Sequence, residues 1–323
     1  MNRPRHIASI SLAAAFALAA LSAAAQESSG EVKNWLDRMN AAVEKLNYRG
    51  TYVHVVDGNP ETLEIVHRYA NGVVGEKISS NAENGREFLR TQDLVRSVFP
   101  EKRLVVIVEP QHSSIPVAPS LSYAEKLEDY YQMTTFPKGS VAGRETQVVL
   151  IHPRDEFRYG YLLWLDRETA LPLKIHVRDE NARVIESILF TEIQVLDSIP
   201  EFAVAPSISL EGFTLKQSAH ANDDEAGTEI WRATRLPNGF YLSTAGRTPG
   251  SRYPLQHLVY TDGLATVSIF IAHPKADADI PEGFSRFGST NAYSLTLDGR
   301  RATAIGEVPG RTVQGMATSL NAR

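Results

Sequence analysis

Along residues 48–109 the side chains alternate apolar and polar with period two, interrupted repeatedly by short polar turns. That pattern predicts antiparallel strands joined by hairpins. Tyr48–Val56 is one such run, and Asp57-Gly58-Asn59-Pro60 turns it into Glu61–Ala70. Asn71-Gly72, a pair that accepts the positive φ of a tight hairpin turn, leads into Val73–Ser79. Arg86–Arg90, Leu94–Phe99 and Leu104–Glu109 continue the meander. Ahead of these strands the period is helical. Trp35, Leu36, Met39, Val43 and Leu46 share one stripe, and Ser28-x-x-Glu31 has capping-box spacing. A helix ahead of a run of strands is expected to plug the sheet that follows.

The most apolar alternation is Phe157–Asp166, where Tyr161–Leu165 is bulky on both faces. Asp166-Arg167-Glu168-Thr169 turns the chain into a second strand, with Pro172 near its start, where a missing N–H is tolerated. This hairpin has more apolar surface than a sheet with one wet face needs. A curved sheet wrapped around a helix or a greasy ligand is therefore expected. Met133–Phe136, Gln147–His152, Leu173–Asp179 and Val184–Val195 are further strands, and Tyr123–Tyr131 reads as a short helix after the proline-rich Pro110–Ser120.

Pro200–Asp224 has little periodicity, which places a linker at 200–229 between a first domain (26–199) and a second (230–323). In the second, Trp231–Arg235 precedes the turn Leu236-Pro237-Asn238-Gly239-Phe240. His257–Tyr260 and Leu264–Ala272 form a hairpin, as do Asn291–Leu297 and Ala302–Glu307 around Asp298-Gly299. Pro309-Gly310-Arg311 opens a last helix. The expected class is α+β and β-rich, with an antiparallel curved sheet followed by a smaller α+β domain.

Residues 1–25 read as an export signal: Arg3 and Arg5, the apolar Ile7–Leu21, then Ala23-x-Ala25. The chain has no cysteine, so disulfides and a lipidated N-terminal cysteine are excluded. Charge is uneven. Residues 230–323 hold 10 Lys/Arg against 6 Asp/Glu, whereas residues 26–229 hold 21 against 32. The second domain therefore suits an acidic peptide or a phosphate, or is simply a solvated surface of different sign. Export makes nucleic acid an unsuitable partner.

No nucleophile elbow, zinc-binding H-E-x-x-H, phosphate loop or dinucleotide fingerprint occurs. His54, His67, His152 and His176 fall singly on strands, so no metal site and no cofactor is expected. Asp155-Glu156 points its carboxylates to opposite faces, and His112 beside Ser113-Ser114 is adjacency rather than a triad. The pattern favours binding over catalysis. Phe88, Val95, Val106, Leu162, Trp164 and Ile175 are candidates to line an apolar groove for an acyl chain, or else they pack on the first helix. Arg300, Arg301 and Arg311 are the candidate partner-binding cluster.

Several stretches together resemble the RseB/MucB family. They are Leu46–Thr51, Gly85-Arg86-Glu87, RYGYLLWLDRETALPLK, Leu236–Phe240, HLVYTDGLATVSIFIA, Asn291-Ala292-Tyr293 and Gly306–Pro309. The resemblance implies an N-terminal half-barrel similar to the lipoprotein carriers, curled over helices, with a smaller C-terminal domain on a linker. It implies a non-enzymatic periplasmic regulator of the envelope-stress sigma factor. Such a protein binds the periplasmic part of a membrane-bound anti-sigma factor and shields it from regulated proteolysis. Lipopolysaccharide-like or lipoprotein ligands release it. The alternative is a periplasmic lipid or lipoprotein carrier. Self-association into a homo-oligomer stays open. One departure is Asn81–Asn84, where the family usually has an Asp-Gly-Pro-Arg turn.

Overall fold

The computed structural model describes residues 30–81, 85–91, 94–108, 127–217, 231–248, 255–272 and 281–322. The export signal and Pro110–Ser120 lie outside them. Helix α1 (30–45) opens the described chain. Its stripe Val32, Trp35, Leu36, Met39 and Ala42 is buried, as the helical spacing of its apolar residues requires.

Six strands follow: β1 (Asn47–Val56), β2 (Asn59–Ala70), β3 (Val73–Ser80), β4 (Glu87–Arg90), β5 (Val95–Phe99) and β6 (Leu104–Val108). After the short helix α2 (Leu127–Tyr130) come β7 (Tyr131–Val141), β8 (Arg144–Pro153), β9 (Gly160–Asp166), β10 (Pro172–Arg178) and β11 (Val184–Leu196). The two meanders join side by side through β1 and β11. A further strand, β12 (Thr214–Gln217), adds to β6 in parallel and completes a twelve-stranded sheet.

The sheet is open and curled. A bulge in the β1–β11 pairing at Thr51/Tyr52 strengthens the bend. Gly50 lies beside it, where an added Cβ would stand 2.5 Å from the Glu192 carbonyl oxygen. The α1 stripe packs with Tyr52, Leu63, Ile65, Val149, Leu163 and Ile175 in one core, so the helix sits in the curl.

The second unit has β13 (Trp231–Ala233), β14 (Tyr241–Thr248), β15 (Leu255–Thr261), β16 (Thr266–Ala272), β17 (Gly283–Phe287), β18 (Thr290–Leu297) and β19 (Arg300–Gly306). Helix α3 (Gly310–Ala317) and β20 (Leu320–Ala322) end it. Strands β14 to β19 form a six-stranded sheet in the order β14-β15-β16-β19-β18-β17, and β13 pairs with β20. Helix α3 buries Val313, Met316 and Ala317 in this unit's core.

Several elements differ from the periodicity reading. The first turn is only Asp57-Gly58, both at positive φ, and Asn59-Pro60 already belongs to β2. Pro60 is tolerated because the β2–β3 pairing stops at Leu63 and Ser80. Strand β9 starts at Gly160 rather than Phe157, because residues 157–159 are drawn toward the second unit. The expected linker 200–229 is not free along its described part. Glu201–Val204 is a 3-10 turn, β12 joins the sheet, and Leu210 and Phe213 cover Leu89, Val98 and Val105 on the outer face. Isolated anchors of this kind leave no period to read. Among the described residues, no helix is long and apolar enough to cross a membrane.

Candidate functional site

Two places bring chemistry-bearing residues together: the concave face of the large sheet and the seam between the units. The register defines the concave face. Gly50, Ile65, Ile78, Phe88, Ser97 and Val106 stand opposite one another across six successive strands. Ile78 is buried in the α1 core, and Phe88 packs against it half-buried. Four groove candidates, Phe88, Val95, Val106 and Ile175, lie on this face.

Leu162 and Trp164 do not. Trp164 pairs with Lys174 and Leu162 with His176, one residue out of step with the buried Leu163 and Ile175. A one-residue offset on a strand sends a side chain to the other face. Trp164 lies on the outer face under the Lys174 ammonium, 4.3 Å from its ring centroid, with the His176 ring against it edge-on. The six candidates therefore do not form one lining.

The seam rests on Arg158, which is fully buried. Its Nη1 donates to Asp262 Oδ2 at 2.8 Å and its Nη2 to the Asn238 carbonyl at 2.5 Å. The rings of Tyr130, Tyr131 and Phe240 surround the guanidinium at 5.0, 5.4 and 5.1 Å. Tyr131 Oη donates to the same Asp262 oxygen, while Oδ1 accepts from the Leu264 and Ala265 amides. Each member of this buried network thus holds a partner, which a desolvated charge requires. Gly239, at φ +86°, permits the approach, because a Cβ there would collide with the Tyr130 ring.

A second cluster lies along β1 and β11. His54 Nε2 stands 2.7 Å from Glu186 Oε1, and Glu186 Oε2 accepts from the Ser289 amide at 3.0 Å. Burial alone would raise the Glu186 pKa, but the bonds from His54 and Ser289 outweigh it and hold it below the ordinary value. Glu307 is pushed the other way, by burial and then by the charge of Glu186. Nearby, Asp57 accepts from Arg286 and from the Gly288 amide. Asn291 Nδ2 donates to Tyr159 Oη, and Thr312 Oγ1 to the Phe157 carbonyl. The units meet through these hydrogen bonds and ion pairs.

The predicted arginines are not one open patch. Arg311, on α3, crosses the seam to Glu156 and to Glu180, the latter at 3.4 Å. Arg301 is held by Glu282 at 3.2 Å, and Arg300 stands beside it at the start of β19. Arg158, Asp262 and Glu186 are not singled out by the sequence, and His54 reads there only as a lone strand histidine. The available signal was a lone arginine in an aromatic run and an Asp-Gly turn inside an apolar hairpin. Among the described residues, no group of three or more His, Asp or Glu is placed to hold a metal ion.

Comparison with known proteins matches both units. A family model described as the MucB/RseB N-terminal domain matches residues 31–208, and one described as the MucB/RseB C-terminal domain matches residues 225–321. The sigma factor AlgU regulatory protein MucB of Pseudomonas aeruginosa is 29% identical over 311 residues, covering 94% of this chain and 95% of that protein. The sigma-E factor regulatory protein RseB of Salmonella typhimurium is 26% identical over 326 residues, 97% of each. A crystal structure of MucB in complex with MucA(peri) superimposes with a TM-score of 0.63 at 27% identity, covering 89% of this chain and 97% of that one.

Proposed function

The chain belongs to the MucB/RseB family, and from that premise we propose that it is a non-enzymatic periplasmic regulator of an envelope-stress sigma factor. It covers the periplasmic region of a membrane-bound anti-sigma factor and shields it from regulated proteolysis. The observation that carries this reading is the match of both units, in order, to a family in which a relative has been solved bound to MucA(peri). Shielding asks for occlusion rather than chemistry, and the best-formed polar networks here are spent on joining the two units.

Release by an amphiphilic ligand requires two states with different ligand affinity. The buried seam gives that equilibrium a physical barrier, since separating the units leaves Arg158 and Asp262 without each other. The test is capture of a synthetic periplasmic anti-sigma peptide by the whole protein at low salt, followed by protease protection of that peptide. Protection at stoichiometric protein is the expected result. No capture, or capture without protection, would refute the reading.

A second reading, a lipid or lipoprotein carrier, is favoured by one observation: Ile65, Ile78 and Phe88 stand in register on the concave face. It predicts acyl-chain transfer between vesicles at a rate indifferent to the anti-sigma peptide.

A further inference from the structure

The outer face of the large sheet is covered on one side only. At β4–β6 the chain lays Leu210 and Phe213 over Leu89, Val98 and Val105. From β7 to β11 and on to β1, the register puts Phe136, Val148, Trp164, Lys174, Leu189 and Val53 opposite one another. This row faces away from α1, because Val149, Leu163, Ile175, Ile188 and Tyr52, next to it on five of the strands, are in the core. Phe136 is 44% exposed and Leu189 37%, while Trp164 and Val53 are half-buried. The hairpin that is apolar on both faces thus spends one face on α1 and leaves the other toward solvent.

A basic ridge crosses this apolar surface. Lys174, His176 and Arg178 take successive outward positions on β10, between Trp164 and Leu162 on β9 and Leu189 on β11. The Lys174 ammonium rests on the Trp164 ring at 4.3 Å, and among the described residues no carboxylate pairs with it. Burial, then the charges of Lys174 and Arg178, push the His176 pKa down to about 4. A half-buried ammonium in apolar surroundings gains from a carboxylate that another molecule brings.

Strands β9, β10 and β11 are each paired on both sides, so a partner cannot join them as a further strand and has to lie across the face. A helix brings its own backbone hydrogen bonds to such a face. Lys174 and Arg178 stand about 13 Å apart along β10. Two helical turns advance about 11 Å. We propose that this outer face binds the anti-sigma segment as an amphipathic helix, its apolar stripe on Trp164 and Leu189 and its carboxylates, two turns apart, on Lys174 and Arg178. The inference rests on the shielding reading and names the surface that does the shielding. A segment held as a helix has its N–H and C=O groups paired within itself, so it offers a protease no extended backbone.

The test is calorimetric titration of the whole protein with the synthetic periplasmic anti-sigma peptide at low salt, with far-UV circular dichroism of the mixture. Wild type should bind with a gain of helical signal. Lys174→Glu should weaken binding about tenfold or more, the worth of one charge-assisted contact, and Leu189→Asp by a similar factor. Lys216→Glu, the same charge change on β12 at the far edge of the sheet, should leave affinity within about twofold. Full affinity and protection in both Lys174→Glu and Leu189→Asp would overturn the assignment while the shielding function stands. An equal loss in Lys216→Glu would reduce the effect to net charge and overturn it too, and binding with no gain of helix would remove the helical occupant. Lys174-dependent binding to anionic vesicles, with peptide affinity unchanged, would give the face to a membrane instead. If wild type captures no peptide, the shielding reading falls and this surface falls with it.

Discussion

Arg158 and Asp262, 104 residues apart in the chain, form a 2.8 Å ion pair in which both side chains are wholly inaccessible. One lies in the loop that leads into β9 of the large sheet and the other in the turn between β15 and β16 of the small one. Removing one partner leaves a desolvated charge, which costs about 3–5 kcal/mol. Arg158→Met should lower stability to urea by that amount, and adding Asp262→Leu should restore most of it. A single-variant loss of less than about 1 kcal/mol, the size of an exposed pair, would show the seam to be open in solution.

The carboxyl of Glu307 gives the seam a pH dependence of known sign. Its folded pKa is raised by burial and by Glu186. The contribution of its protonated form is fully present below the ordinary carboxylate value and is lost as pH rises through the folded one. Glu307→Gln should therefore raise the melting temperature over wild type by a margin that grows from about pH 5 to about pH 8. A margin that stays constant or shrinks would contradict this.

Asp166 behaves in the opposite sense. Arg144 donates to both its oxygens at 3.0 and 2.9 Å, and the Thr169 amide and hydroxyl add 3.0 and 2.7 Å contacts. Burial would raise its pKa, yet these bonds prevail and lower it. The stability it lends is present above the ordinary carboxylate value and disappears as pH falls through the lowered one. Asp166→Asn should cost about 1–3 kcal/mol at neutral pH and very little in acid, by chemical denaturation at each. Equal losses at both would assign the effect to packing.

The facing of the strands separates two groove candidates that the sequence had grouped. Phe88→Glu places a charge on the concave face and should weaken binding of a fluorescent acyl probe at least about tenfold. Trp164→Glu, on the outer face, should leave probe affinity unchanged. The reverse order would move the groove to the other side of the sheet.

Reversing Arg300 and Arg301 to Glu should slow association with an acidic anti-sigma peptide at low salt and have little effect at high salt. Stopped-flow rates at two ionic strengths decide it. Slowing that does not depend on salt would make the pair a structural contact.

The first helix and most hairpins were legible because their signals are local. The stripe from Trp35 to Met39 and the Asn71-Gly72 and Asp298-Gly299 turns each declare themselves within a few residues. Strands β12, β13, β14, β17 and β20 were missed. Tyr241–Thr248 and Gly283–Phe287 are sheet edges rich in polar or exposed residues, and Leu320–Ala322 is too short to show a period. The candidate groove was half legible. Alternation says that Leu162 and Leu163 face apart, but not which of them faces in. Only the partner strands decide that, and where both faces are apolar the choice is hidden. The seam was illegible for a different reason, since Arg158 and Asp262 acquire meaning only when distant segments meet.

The short ladder between β13 and β20 pairs Trp231 with Ala322 and Ala233 with Leu320. Two stretches at opposite ends of the small unit are thereby clasped, and Trp231, a member of the clasp, is buried. Trimming the chain by a carboxypeptidase past Leu320 would thus act like pulling a zip: a cut of a few residues undoes the whole unit, and with it the surface that meets the large sheet. Affinity tags or reporter fusions placed after residue 322 would load that same fastening.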